Sequence, residues 1–228
     1  MKKEIIIFGT GEIAELAHLY ITKDSDYDIV AFTADQDLME GKSFLGKPLV
    51  AFEEVLEKYP PSKYSMHVAL SYSKLNQVRK KKYFEAKEKG YELVSYICSK
   101  SVIWDDVLIG DNCFILENQT IQPTVKIGNN VMIWSGNHLG HGCVIKDHSY
   151  LSSHICISGH TIIGESCFIG VNSTFKDFVS VGNRVFVGMG ASISRDINDG
   201  AVVLAPKSTI LDAIDKMAIK IKKIYFNL

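Results

Sequence analysis

From residue 97 onward an aliphatic or aromatic side chain returns at every sixth position, from Ile97, Ile103, Ile109, Ile115 and Ile121 through Leu139, Leu151 and Phe175 to Ile193, seventeen hexads without a slip. Neither the 3.6-residue period of a helix nor the two-residue alternation of a strand sustains such a beat. A hexapeptide solenoid does: each hexad forms one flat side of a triangular prism, three hexads complete a turn, and residues eighteen apart stack. The residue four places after each aliphatic also faces inward, and these positions hold small or β-branched side chains such as Val107, Val125, Val131, Ser149 and Thr161. Cys113, Cys143 and Cys167 fall on the same inner row. Gln119 and Asn137 share it too, one turn apart, which predicts a buried ladder of two amides. Glycine recurs at the second hexad position, as at Gly110, Gly128, Gly140 and Gly164, and suits tight corners.

The first third has a different rhythm. Residues 5–8 are a continuous apolar run, followed at once by Gly9-Thr10-Gly11-Glu12-Ile13-Ala14 and a helical pattern through Leu16, Ala17 and Tyr20. Strand, G-x-G-x-x-A turn and helix together suit a phosphate, since backbone bare of side chains comes close and a helix N-terminus points N–H groups at the anion. A second strand at 29–32 ends near Asp35, whose carboxylate could hydrogen-bond a ribose or sugar hydroxyl. A third strand at 66–70 and a helix at 76–89 complete a βαβαβ unit. Fewer than a hundred residues give half a dinucleotide fold, so a mononucleotide or nucleotide-linked sugar fits better than NAD. Gly9, Gly11 and Asp35 are the candidate substrate-binding residues. The run Arg79-Lys80-Lys81-Lys82 reads as a solvated helix face rather than a phosphate clamp.

The expected organisation is a Rossmann-like α/β domain over 1–96, a β-helix over 97–200, and a C-terminal segment over 201–228. After Pro206 that segment carries Ile210, Leu211, Ile214, Met217, Ile221 and Ile224 among lysines, an amphipathic helix expected to cap the open end of the coil. Docking on an anionic membrane surface is its alternative reading.

Composition narrows the function. With 46% hydrophobic and 22% charged residues and a formal net charge of -1, the chain can build two cores and has no broad attraction for nucleic acid or membranes. The apolar run behind the N-terminal lysines is too short for a signal peptide or a membrane span, so a cytoplasmic protein without stable membrane insertion is expected. The five cysteines form no C-x-x-C pair and read as reduced structural thiols. Five of the seven histidines lie between His138 and His160. A metal site is not expected within one chain, because His148, His154 and His160 occupy equivalent positions of successive hexads and project from different sides of the prism.

The phrases I-G-D-N-C at 109–113 and I-G-E-S-C-F-I-G at 163–170 resemble the bacterial hexapeptide acyltransferase superfamily, which implies a left-handed coil. F-T-A-D at 32–35, F-L-G-K-P-L at 44–49 and S-G-N-H-L-G-H-G-C at 135–143 are similar to the sialic acid O-acetyltransferases and nucleotide-aminosugar N-acetyltransferases. The resemblance implies a homotrimer that takes acetyl-CoA as co-substrate and holds a nucleotide-linked sugar on the N-terminal domain. It implies His141 as general base, the backbone N–H of Gly159 as the hold on the thioester carbonyl, and a coenzyme groove near Gly170 and Gly188. N-acetylation of an amino sugar is the leading reading. Sugar O-acetylation, a non-catalytic trimeric scaffold and a zinc hydratase with metal shared between subunits are the alternatives. Two departures stand out. The family commonly has an acidic residue directly after the base, where this chain has Gly142, so Asp147 or a neighbouring subunit is expected to orient His141. Some members have a second histidine where this chain has Tyr150.

Overall fold

The computed structural model describes residues 2–227. In its N-terminal unit, β1 (Lys3–Phe8), β2 (Tyr27–Ala34), β4 (Lys47–Ala51) and β5 (Ser65–Val68) lie in one sheet with the edge strand β3 (Ser43–Phe44), in the order β3-β4-β2-β1-β5. Only the β3–β4 pair is antiparallel. Leu45 and Gly46 join that pair with φ of 47° and 74°, the two left-handed residues that a tight hairpin with native strand twist requires. The expected βαβαβ unit therefore gains this hairpin between its second and third strands.

The apolar run of β1 is buried on both faces, which is why it shows no alternation. Ile5 and Ile7 pack with α1 (Glu12–Lys23) and against the coil, through Phe114, Met132 and Tyr150. Ile6 and Phe8 pack on the other face, with α2 (Val55–Lys58) and with Tyr83 and Ala86 of α3 (Gln77–Glu88).

The hexads fold as expected into a left-handed parallel β-helix of two-residue strands, from β6 (Tyr96–Ile97) to β23 (Val202–Val203). Its three faces are stacks of seven, six and five strands, and each strand pairs in parallel with the one eighteen residues away. Inside lie the repeating aliphatics with Cys113, Cys143 and Cys167. All five cysteines are free thiols. The last turn is shorter, since β23 pairs with Phe186–Val187 at an offset of sixteen, and the coil runs on through Val203, past residue 200.

Three expectations change. Gln119 and Asn137 stack, but their amides bond backbone rather than each other: Gln119 Nε2 donates to the carbonyls of Leu116 and Trp134, both at 2.8 Å, and its oxygen accepts from Asn137 N–H at 3.2 Å. The side-chain ladder stands at another corner, where Asn112 Nδ2 donates to Asn130 Oδ1 at 2.8 Å and Asn130 Nδ2 meets His148 Nδ1 at 2.9 Å. Burial there pushes the His148 pKa down to about 4, so the ladder holds a neutral imidazole. Second, the basic run of α3 is not a solvated face. Arg79 is buried, and its guanidinium donates to the carbonyls of Ser71, Asn130, His148 and Ser149 at 2.9–3.3 Å, tying α3 to the coil. Lys82 is buried as well, and Lys80 pairs with Glu165 of the coil. Third, α4 (Lys216–Phe226) does not cap the coil. Ile214, Met217, Ile221 and Ile224 are exposed and only Ala218 is buried, while Ile197, Ala201 and Val203 close the end instead. No described helix is long and apolar enough to cross a membrane.

Candidate active site

His141 sits on one edge of the prism, in the turn from β13 (His138–Leu139) of the six-stranded face to β14 (Val144–Ile145) of the five-stranded face. Its side chain is exposed and lies over Gly159, the residue one coil on. A Cβ at Gly159 would stand 2.7 Å from His141 Cε1 and 2.9 Å from Nε2, so the imidazole occupies space that only glycine leaves open. The Gly159 N–H finds no acceptor among the described residues. Its position repeats that of His141, whose N–H is received by Gln122 nineteen residues earlier; the counterpart under Gly159 is Gly140, which has no side chain to offer.

Gln122 Oε1 takes the His141 backbone N–H at 2.9 Å and lies 3.3 Å from His141 Nδ1. The His160 ring meets the His141 ring edge to face at 4.9 Å and stacks at 5.0 Å on Phe178, which is 73% exposed. Asp147, expected as a possible orienting group, is elsewhere. Its carboxylate accepts from Asn129 N–H at 2.8 Å on the edge between the five- and seven-stranded faces. Gly142 explains the missing acid: it is in the left-handed region at φ 67°, and a Cβ there would come within 2.6 Å of His160 Nδ1.

The histidine run has a conformational cause. His148, His154 and His160 have φ of 62°, 58° and 56°, and Asn112, Asn130 and Asn172 at equivalent corners have 51°, 55° and 57°. Each is the fourth residue of its hexad, where the chain turns in the left-handed region that asparagine and histidine tolerate best among non-glycine residues. The three histidines stand on three separate edges.

The second candidate region lies where the α/β unit meets the seven-stranded face. Gly11 and Glu12 open α1, and with Ile13, the 69–72 segment, Trp134 and Tyr150 they line a cleft of about 400 Å³. That volume suits part of a small ligand. Tyr150 stacks on Phe168 at 5.2 Å and meets the edge of Tyr72 at 5.0 Å, giving the cleft an aromatic wall. The position of the family's second histidine thus belongs to this cleft and not to the His141 edge. Gly11 leaves the helix N-terminus open, with no atom within 4 Å of a Cβ built there. Gly9 serves packing, since a Cβ would fall 2.6 Å from the Ala69 carbonyl. Asp35 is not brought to this cleft: it lies with α3 and Phe52, and its carboxylate is paired with Lys82 at 2.5 Å.

Gly170 and Gly188 lie on the edge between the seven- and six-stranded faces, away from His141. The second-position glycines of the hexads answer to close stacking of coils rather than to unusual φ. At Gly140 a Cβ would meet Gly159 N at 2.7 Å, and at Gly170 the Gly188 backbone at 2.8 Å.

The family model for the bacterial transferase hexapeptide (six repeats) matches residues 124–154 and 160–195. Both stretches lie within the coil, where the sequence carries the six-residue repeat that this model describes. Among curated proteins, the acyl-[acyl-carrier-protein]–UDP-N-acetylglucosamine O-acyltransferase of Sinorhizobium fredii is 27% identical over 104 residues, 42% of this chain and 38% of that protein. The bifunctional protein GlmU of Listeria monocytogenes is 29% identical over 124 residues, 46% of this chain and 27% of its own length. The chain thus spans well under half the length of these relatives.

Solved structures extend the likeness across both domains. Perosamine N-acetyltransferase from Caulobacter crescentus, a variant in complex with CoA and GDP-perosamine, has a TM-score of 0.76 at 23% identity, covering 87% of this chain and 92% of that one. The acetyltransferase domain of PglB from Neisseria gonorrhoeae, in complex with acetyl coenzyme A, has a TM-score of 0.74 at 23% identity, covering 89% and 96%. At such identities the shared property is the fold: an α/β unit on a hexapeptide coil. The sequence pattern did not single out Gln122 or the Tyr72 and Trp134 walls, and it set Arg79 on a solvated face where the structure buries it. Gln122 was within its reach, because the eighteen-residue stacking rule sets Pro123 beneath His141 and Gln122 next to it.

Proposed function

We propose that this chain transfers the acetyl group of acetyl-CoA to the amino group of a nucleotide-linked amino sugar, working as a homotrimer with His141 as general base. The observation that carries the reading is the imidazole of His141 held over Gly159 on an exposed coil edge, in a fold shared with solved acetyltransferases that contain CoA or acetyl coenzyme A.

In this reading the acceptor amine attacks the thioester carbonyl as His141 takes its proton. The C–N bond forms, the C–S bond breaks, and the imidazolium returns the proton to the departing thiolate, so no acyl-enzyme arises. An imidazole is suited to this exchange near neutral pH. The Gly159 N–H, which has no acceptor among the described residues, would donate to the carbonyl oxygen as negative charge builds on it, when such a contact counts most. The nucleotide portion would occupy the cleft at Gly11, where the N-terminus of α1 favours a phosphate.

Thiol release from acetyl-CoA, followed across a panel of nucleotide-linked amino sugars, tests the reading. His141→Ala is expected to lower the rate by a factor on the order of 10² or more while the circular dichroism stays unchanged. A variant as fast as the parent would remove His141 from the mechanism.

A further inference from the structure

We infer that Gln122 is the positioning residue of the base, taking over on the coil below what an acidic residue after the histidine would otherwise do. The inference rests on the reading of His141 as general base and names the group that sets its tautomer.

The argument begins with an atom whose role is fixed. A backbone N–H can only donate, so the Gln122 atom 2.9 Å from His141 N must be the amide oxygen, which removes the usual ambiguity between amide oxygen and nitrogen. The same oxygen lies 3.3 Å from His141 Nδ1. An oxygen cannot donate there, so Nδ1 must carry the proton, and the lone pair of the neutral ring resides on Nε2. A Cβ on Gly159 would lie 2.7 Å from Cε1, 2.9 Å from Nε2 and 3.2 Å from Nδ1, so the Cε1 edge of the ring faces the Gly159 backbone and Nε2 is the nearer of its two nitrogens. One oxygen thus holds both the backbone and the ring of His141, and the ring's orientation follows from the coil's register.

The neighbouring positions agree. Residue 142 cannot supply a carboxylate without moving His160, because a Cβ there would lie 2.6 Å from His160 Nδ1. Asp147 is engaged with Asn129 on another edge. Within the chain, among the described residues, the only side-chain hydrogen bond to the His141 ring comes from Gln122. A neutral amide fixes the tautomer without the added pull of a negative charge on the imidazolium, so replacing it by a carboxylate has a predictable sign.

Nitrogen-15 NMR of the full-length, ligand-free protein with labelled histidine decides the matter, with His141→Ala giving the assignment. The parent is expected to show His141 as the Nδ1–H tautomer and Gln122→Ala to show a mixture. Gln122→Glu should keep the Nδ1–H tautomer and raise the His141 pKa, because a carboxylate at the ring favours its charged form. In the thiol-release assay Gln122→Ala should lower kcat on the order of tenfold with KM for acetyl-CoA unchanged. Mixed tautomers in the parent, or an unaltered tautomer in Gln122→Ala, would overturn the assignment to Gln122. Full activity in His141→Ala would instead defeat the general-base reading and leave the measured tautomer standing, so the two failures are distinct.

Discussion

At the scale of single residues, the candidate active site depends on side chains that are missing as much as on those present. Gly159 and Gly140 stand next to each other on adjacent coils, yet their absent Cβ atoms do different work. A Cβ at Gly140 would meet backbone, Gly159 N at 2.7 Å, which the stacked coils cannot relieve; a Cβ at Gly159 would meet the exposed ring of His141, which can swing aside. Gly159→Ala is therefore expected to cost less than about 1 kcal/mol of stability, the usual range for a change that only displaces an exposed side chain. It should nevertheless lower the transfer rate on the order of tenfold or more by displacing the base. Thermal unfolding beside the thiol-release rate separates the two, and a variant that unfolds early but keeps its rate would contradict the placement of the ring. The histidine cluster shows how residue identity misleads. Five histidines within a short span suggest metal chemistry, but three of them are corner residues at φ near 60°, and that preference was hidden in the fourth position of every hexad, filled elsewhere by Asn112, Asn130, Ser166 and Asn172.

Between elements, the junction of the α/β unit and the coil is a polar clamp around Arg79. Its burial lowers its pKa to about 10, by desolvation, so it remains charged at neutral pH. Its hydrogen bonds go to four carbonyls and the Asn76 side-chain oxygen, with no carboxylate among them. Removing the guanidinium leaves the buried carbonyls of Asn130 and His148 without a donor among the described residues, while that of Ser149 still accepts from Met132 N–H, so Arg79→Met is expected to cost about 3 kcal/mol. The loss should appear as faster amide exchange in α3, with the strands of the coil still protected. Equal loosening of both, or no change, would show that the clamp is not what holds α3. Little of this was legible. A run of four basic residues ordinarily marks a wet surface, and only the coil's corner carbonyls, which no side-chain pattern records, turn Arg79 inward. The coil itself was read with its register because a six-residue period has one structural solution. The edge hairpin was half visible: the Leu45-Gly46 turn shows in the sequence, but β4 is brief and carries Pro48, and strand identity came from pairing with β2. The C-terminal helix was legible as amphipathic, and its docking was not, because a helical pattern gives an apolar face without saying what covers it.

Across the whole molecule, the two candidate regions are on opposite sides of the prism. The α/β unit and the Gly11 cleft cover the seven-stranded face, whereas His141 stands on the edge between the other two faces, the edge farthest from it. A sugar whose nucleotide rests at Gly11 therefore cannot present its amine to the His141 of the same chain, and the proposed reaction requires a second copy to bring its histidine to the cleft. In a closed ring of three such heterologous contacts, each cleft would meet the histidine of one neighbour. This makes the assembly testable by complementation. His141→Ala removes the base and leaves the cleft. Gly11→Asp disables the cleft and leaves the base: the residue has extended φ and ψ of -97° and -173° and open space around it, so aspartate is tolerated as a helix N-cap, while its charge opposes a phosphate at that end of α1. Each variant alone should be nearly inactive. Chains of both kinds, co-expressed in equal amounts and purified by two different tags, give only mixed trimers, and each of these pairs an intact cleft with an intact histidine at about a third of its sites in a cyclic arrangement. They should regain roughly that share of the parent rate. If mixed oligomers stay as inactive as their components, cleft and base must act within one chain, and the separation of Gly11 from His141 across the prism would have to close by a movement of the α/β unit that breaks the Arg79 clamp.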